Sequence, residues 1–298
     1  MFRNDQNPEA AESQRLIEAG GLPPAATARL KENAARQGTD RHFFTSNLSV
    51  NEFLLTHDCG YEPLGQIMGT SVYHVGWAYF TPSYFYGWGS QELGVLTQAY
   101  YEARTLAFGR LFQEAKLLGA DGVVGVRFER IGQNLPEGIF EFKAVGTAVR
   151  KTGAPPNHSV EPFLSNLNGQ DHWALRQAGL KPIGFVFGNC SWYQVSGWRN
   201  QNLDYSMMGN GEYPDFTQGI YNAREIAMER LENEARRMGA YGVIGVTIDP
   251  QIETYEVDVN NQRRRDLIVQ FTAYGTAINW ESGRKPDFVV GQTISLRD

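Results

Sequence analysis

Cysteine, net positive charge and an apolar leader are all scarce or missing in this 298-residue chain. Two cysteines cannot build a disulfide framework, and nothing in their number demands an oxidising compartment. With 27 basic against 33 acidic residues the formal charge is −6. No cationic surplus exists to neutralise a phosphate backbone, so nucleic acid is not expected as a partner. The N-terminal residues carry acids (Asp5, Glu9, Glu12) where a signal peptide needs an apolar run. Charge is absent from one long stretch, the 29 residues from Pro63 to Gln91. That length raises the question of a membrane span. Glycines, prolines and polar residues interrupt it throughout, so it reads as sheet plus loop, with no membrane partner expected and a cytoplasmic location.

What is present is ordinary for a folded protein, with 42% apolar and 20% charged residues. The length suggests two domains. Glycine (32 residues) and aromatics (12%) are the two unusual excesses. Residues 97–126, TQAYYEARTLAFGRLFQEAKLLGADGVVGV, align without gaps to 217–246, TQGIYNAREIAMERLENEARRMGAYGVIGV. The offset is 120, and 16 of the 30 positions are identical. Upstream, Ser46-Asn47-Leu48 matches Ser165-Asn166-Leu167 at an offset of 119, and downstream Gly146-Thr147-Ala148 matches Gly275-Thr276-Ala277 at 129. The chain is a tandem duplication, with nine residues inserted late in the second copy.

Each copy reads as a short helix, a strand, a long irregular connection, a main helix and two antiparallel strands. Ser49 with Glu52 forms a capping-box pattern and Gly60 is placed to stop the first short helix. Strands start at Tyr61 and Leu180 and are rich in aromatic and β-branched residues. The main helices are expected from Thr97 and Thr217, as N-caps, to Gly119 and Gly239. Ala103, Ala107, Leu111, Ala115 and Leu118 fall on one helix face, as do Ala223, Ala227, Leu231, Ala235 and Met238. The alanines let the helix lie close to its sheet. Arg110/Glu114 and Arg230/Glu234 are spaced to pair on an exposed face, which stabilises by about 0.2–0.5 kcal/mol. The expected fold class is α+β: two tandem β-α-β-β domains, each a small antiparallel sheet with one long helix on one face. The expected division is an N-terminal arm at 1–43, repeat one at 44–152, a Pro-rich linker at 153–162, repeat two at 163–281 and a tail strand at 282–298.

The segments LGADGVVGV and MGAYGVIGV, each ending an Ala- and Arg-rich helix and followed by a Gly-Thr-Ala strand, resemble the YbjQ family, labelled as heavy-metal-binding. The resemblance covers roughly residues 61–150 and 180–280. It implies a β-α-β-β fold that assembles into pentameric rings, here two such domains fused. The duplication, the arm, the short helix before each first strand and the long aromatic loop depart from the family pattern.

The residues do not support the metal label. His57, Cys59 and His74 are the ligand candidates of repeat one, but the aligned positions Arg176, Ala178 and Tyr193 supply none, and a closed zinc site wants four ligands. No CxxC, HxH or HExxH occurs, nor any phosphate loop or nucleophile elbow. No metal, no cofactor and no catalytic residue is therefore expected, and the protein is not expected to be an enzyme. The glycines of GVVGV are read as permitting close backbone or helix approach.

The aromatic cluster is the most distinctive feature. Tyr73, Trp77, Tyr79, Phe80, Tyr84, Phe85, Tyr86 and Trp88 put eight aromatics into sixteen residues, and Trp192, Tyr193, Trp198 and Tyr205 lie in the matching stretch of repeat two. Basic residues that would go with base stacking are missing between Pro63 and Gln91. These residues are read as subunit-interface candidates, where Tyr and Trp supply area and hydrogen-bonding edges. Since five is odd, whole two-domain chains cannot fill one five-membered ring of domains. The chain is expected to build stacked rings or, by bridging rings through its linker, a hollow cage. The expected partner is itself, with cargo or another partner reached through the arm. The alternative is a small-molecule or metal-binding sensor that uses the aromatic loop as a pocket.

Overall fold

The computed structural model describes residues 8–40, 42–76, 89–131, 138–198, 200–201, 210–259 and 262–281. The arm forms helices α1 (Pro8–Glu18) and α2 (Pro24–Arg36). Repeat one comprises α3 (Val50–Asp58), β1 (Tyr61–His74), β2 (Gln91–Glu92), α4 (Gly94–Leu117), β3 (Gly122–Ile131) and β4 (Ile139–Lys151). Repeat two comprises β5 (Phe163–Leu164), α5 (Gly169–Gln177), β6 (Leu180–Gln194), α6 (Pro214–Arg237), β7 (Gly242–Val259) and β8 (Gln262–Trp280). The expected α+β class and the twofold arrangement of helix on sheet are both present. The tail residues 282–298 lie outside the described residues.

Local signals place most boundaries. Ser49 and Glu52 cap α3 reciprocally, and Asn168 caps α5 by accepting from Asp171 N at 2.8 Å. Gly60, Gly119 and Gly239 end their helices at positive φ. The main helices begin four residues earlier than expected, at Gly94 and Pro214, and their N-caps Leu93 and Tyr213 make no side-chain cap. Thr97, inside α4, instead has its hydroxyl accept from Ser191 N at 3.0 Å. A tertiary contact thus takes the group that a sequence reading assigns to a cap.

The two four-stranded sheets run β1-β4-β3-β5 and β2-β6-β8-β7. Their ladders are antiparallel except where β5 runs parallel to β3, so the first sheet is mixed rather than purely antiparallel. The nine inserted residues lengthen one hairpin. β7 and β8 pair out to Val259 and Gln262, whereas β3 and β4 pair only to Ile131 and Glu141.

Each main helix sits directly on a strand glycine. A Cβ at Gly69 would collide with Ala107 O of α4, and a Cβ at Gly188 with Ala227 O of α6. Glycine on the strand and alanine on the helix bring the two backbones into contact. The expected pairs within each helix do not form. Arg110 donates to the carbonyls of Ile17, Gly21 and Thr70, while buried Glu114 accepts from Met68 N at 2.9 Å. Arg230 pairs with Glu92 and Glu234 with Arg104. Tertiary partners outcompete the i,i+4 partner because these faces are covered rather than exposed. Met238 also departs from its expected core position: it is 42% exposed, while its counterpart Leu118 is 1% exposed.

Candidate assembly interface

The most elaborate constellation among the described residues is the contact between the chain's own two repeats. The Pro-rich linker does not fix their relation alone, because each sheet takes a strand from the other repeat. β5 of repeat two lies along the edge of β3. There Asp121 O and Val123 O accept from Phe163 N (3.2 Å) and Ser165 N (2.9 Å), and Gly125 N and Val126 N donate to Leu167 O (3.0 Å) and Ser165 O (2.9 Å). Gly122 is a glycine because a Cβ there would overlap the Phe163 ring. In exchange β2 of repeat one pairs with β6, Gln91 opposite Tyr193 and Glu92 opposite Trp192.

The segment that crosses over is held by its own repeat through side chains. The Thr276 hydroxyl donates to Asn166 Oδ1 at 2.6 Å and accepts from Asn166 N at 3.0 Å, and Asn166 Nδ2 donates to Gly245 O at 2.7 Å. Repeat one uses Asn47, Thr147 and Gly125 in the same way. These bonds explain the shared Ser-Asn-Leu and Gly-Thr-Ala signatures physically. The two motifs clamp each other across the bulges at Gly125 and Gly245.

Between the sheets lies a core of rings from both repeats. Phe128 of β3 meets Phe185, Phe187 and Tyr274 at centroid distances of 6.2, 5.5 and 5.6 Å. Phe108 stacks obliquely on Phe185 at 4.7 Å, and Tyr101 meets Phe187 edge-on at 5.4 Å. Arg104 lies over Phe108 and Phe187 and pairs with Glu234 at 3.1 Å. Glu92 accepts from Arg230 at 2.6 and 2.9 Å. Burial alone would raise the Glu92 carboxyl, but hydrogen bonds from Arg230 and Thr97 outweigh it and lower its pKa. Tyr100 reaches Gln270 with its hydroxyl, and burial pushes its pKa above the ordinary range.

A second seam joins α3 to α5. The Trp173 indole donates to Asp58 at 2.6 Å and Arg176 to Cys59 O at 2.5 Å. His172 stacks flat on Phe163 at 6.1 Å and edge-on to Tyr61 at 5.6 Å, and neither ring nitrogen has a partner among the described residues. Burial, helped by the charge of Arg176, lowers its pKa to about 4.

The aromatic candidates from the sequence divide. Tyr193 is buried, its hydroxyl donating to Asp266, which Arg264 holds at 2.8 Å. Trp192 is half-buried and donates to Gln194 at 3.0 Å. Tyr73 stacks on Phe140 at 5.9 Å with its hydroxyl on Glu102, and Trp198 is exposed. Trp77, Tyr79, Phe80, Tyr84, Phe85, Tyr86, Trp88 and Tyr205 lie outside the described residues. Sequence reasoning passed over Phe108, Phe128, Phe185, Phe187 and Tyr274. One signal was available: Phe185 and Phe187 point to one strand face, where the aligned residues of repeat one are Gln66 and Met68.

Metal-ligating groups are dispersed. Cys59 is buried against Tyr61, Val124 and Val149, and His57 and His74 are exposed. Burial pushes the Cys190 thiol up to about 12. Among the described residues no three His, Cys, Asp or Glu side chains gather as a metal site would require. A cavity of about 400 Å³ between the repeats is lined by Arg104, Phe108, Phe185, Glu234 and Met238 among others, none of them His or Cys. These residues do not fit a heavy metal. Among the described residues no helix is long and apolar enough to cross a membrane.

The family model described as "Putative heavy-metal-binding", YbjQ, matches residues 64–152 and again 183–281. The chain is similar to an encapsulin nanocompartment protein of Mycobacterium tuberculosis, 41% identical over 267 residues that cover 88% of this chain and 93% of that protein. A UPF0145 protein of Thermus thermophilus is 36% identical over 75 residues, covering 25% of this chain and 56% of its own length. One from Methanococcus vannielii is 45% identical over 58 residues, or 20% of this chain and 53% of that protein.

Proposed function

This chain belongs to the YbjQ family through two copies of its domain, and on that premise we propose that it is a self-assembling structural protein that builds a hollow homo-oligomeric cage. The observation that carries this reading is the end-to-end similarity to a nanocompartment protein, which spans both repeats. The role is structural rather than enzymatic. The assembly unit is a five-fold ring, as the family resemblance implies, and the cage works in the cytoplasm. A closed shell needs identical copies joined by a repeated contact.

The division at 1–43, 44–152, 153–162, 163–281 and 282–298 serves this role as arm, two ring-forming domains, linker and tail. The uncharged aromatic stretch around Trp77 to Trp88, together with Trp198 and Tyr205, is assigned to contacts between subunits. So large an apolar segment calls for cover. The arm reaches cargo or another partner.

Multi-angle light scattering and negative-stain microscopy of the purified protein test the reading. Hollow particles of megadalton mass are expected. A particle at the single-chain mass of 33.4 kDa overturns it.

A further inference from the structure

The two halves of the contact between the repeats recur toward the two ends of the chain, without a partner among the described residues. On repeat one its giving half is the β3 edge at Asp121 O, Val123 O, Gly125 N and Val126 N. The offset of 120 places the same atoms of repeat two at Tyr241, Val243, Gly245 and Val246. Among the described residues none of these four has a partner on that edge of β7. The receiving half, residues 163–167, corresponds to 44–48 in repeat one. There Phe44 N, Ser46 N, Ser46 O and Leu48 O likewise find no partner among the described residues.

The side chains tell the same story. Gly122 lies under the Phe163 ring, but among the described residues a Cβ at Gly242 would meet nothing within 4 Å. Phe44, the counterpart of Phe163, already stacks on Phe53 at 5.9 Å as Phe163 does on His172. Val126 and Phe128 are 2% and 6% exposed under repeat two, whereas Val246 and Ile248 are 40% and 46% exposed. On α3, Val50 and Leu54 are exposed where the aligned Gly169 and Trp173 of α5 abut the other repeat. Thr97 and Tyr101 accept from Ser191 N and Asn189 N, and both recur as Thr217 and exposed Tyr221. The aligned amides, Val72 N and Thr70 N on the open edge of β1, have no partner among the described residues.

Deepening the assembly reading above, on which it rests, we infer that repeat two of one copy docks on repeat one of a second copy through this same contact, joining chains head to tail. The occupant of the β7 edge is the 44–48 segment of the second copy, and α3 of that copy packs on α5. Such a contact is heterologous and generates a ring when its rotation closes. A ring so formed holds whole chains with their two repeats alternating, ten repeats where five chains close it, and so differs from a ring of five domains. The arm stands on part of the receiving surface. Arg29 faces Glu114 at 3.5 Å where Arg104 faces Glu234, and the Ile17 and Gly21 carbonyls take Arg110 where Glu92 takes Arg230. Docking therefore competes with α2 for repeat one.

Two full-length variants at exposed positions test the contact: V246D/I248D on the giving side and V50D/L54D on the receiving side. Each is checked for folding by far-UV circular dichroism and weighed by mass photometry beside the wild type. Each alone is expected as a single chain of 33.4 kDa. An equimolar mixture is expected to give two-chain particles and nothing larger, because one intact contact remains between unlike copies. Should the giving-side variant fail to fold, Gly242→Phe fills the place of Phe44 and replaces it. Arg29→Glu, which sets two acids together beneath the arm, is expected to lower the assembly concentration several-fold.

Variants that keep the wild-type mass overturn the inference, and this is also the outcome if residues 283–298 of the same chain take the β7 edge. A mixture that stays single-chain, or an Arg29→Glu chain that assembles less readily, overturns it as well. Hollow wild-type particles untouched by the variants leave the cage reading standing alone. Open rings or filaments that the variants abolish sustain the contact and sink the cage.

Discussion

Repeat one and repeat two share their element order, their glycine stops, the Gly69/Gly188 contact under the main helix and the Ser-Asn-Leu clamp, yet they live in different surroundings. The outer face of β3 is covered by rings from the other repeat, while the outer face of β7 is open. On the strands opposite, Phe185 and Phe187 are buried, and the aligned Gln66 and Met68 are exposed. Near-identical local codes therefore coexist with opposite burial. What differs between the repeats is what each meets: the same surface is covered in repeat one and, among the described residues, uncovered in repeat two.

The largest effect that should separate the repeats is at the ring core. Phe128→Ala is expected to cost about 3–5 kcal/mol in urea unfolding of the single chain, and Ile248→Ala less than about 1 kcal/mol there. Equal costs would erase the distinction. The helix contacts should instead behave alike. Gly69→Ala and Gly188→Ala each force a methyl into a helix carbonyl and are expected to lose on the order of 3 kcal/mol. A tolerant member of that pair in thermal melting would show that one helix sits looser than the other.

Gly122→Ala against Gly242→Ala sharpens the comparison further. The first is expected to destabilise by about 1–3 kcal/mol because Phe163 must move. The second, with space around it, is expected to be neutral within about 0.5 kcal/mol in the dissociated chain.

The smallest effect depends on pH. His172 occupies the place of Phe53, and its pKa falls from an unfolded value near 6.5 to about 4 in the folded chain. The folded state thus binds fewer protons across that window. His172 leaves stability untouched above about pH 6.5 and withdraws it as pH falls toward 4, by up to about 1.4 kcal/mol per unit. His172→Phe should flatten the difference between melting curves at pH 7 and pH 5. An unchanged pH slope in the variant would assign the acid sensitivity to other groups.

Much of the architecture was legible because it is encoded locally. Capping at Ser49, helix stops at Gly60 and Gly119, and the strand starts at Tyr61 and Leu180 each depend on neighbours a few residues away. The i,i+4 pairs failed for the converse reason. Arg110 and Arg230 found better acceptors on elements far along the chain. The contact between the two repeats was not legible: it is built from Phe108, Phe128, Phe185, Phe187 and the backbone of 163–167, a combination that no local motif marks. Strand phenylalanines look the same whether they face a helix, a second sheet or water.

The duplication, the element order and the α+β class follow from the amino-acid order alone, since periodicity, caps and repeated motifs are short-range. The exchange of β2 and β5 between sheets, the covering of one repeat by the other and a β7 edge without a partner among the described residues arose only on folding. Burial is a relation between surfaces distant in sequence. Gly122 and Gly242 are the same residue in the same motif, and only the ring of Phe163 distinguishes them.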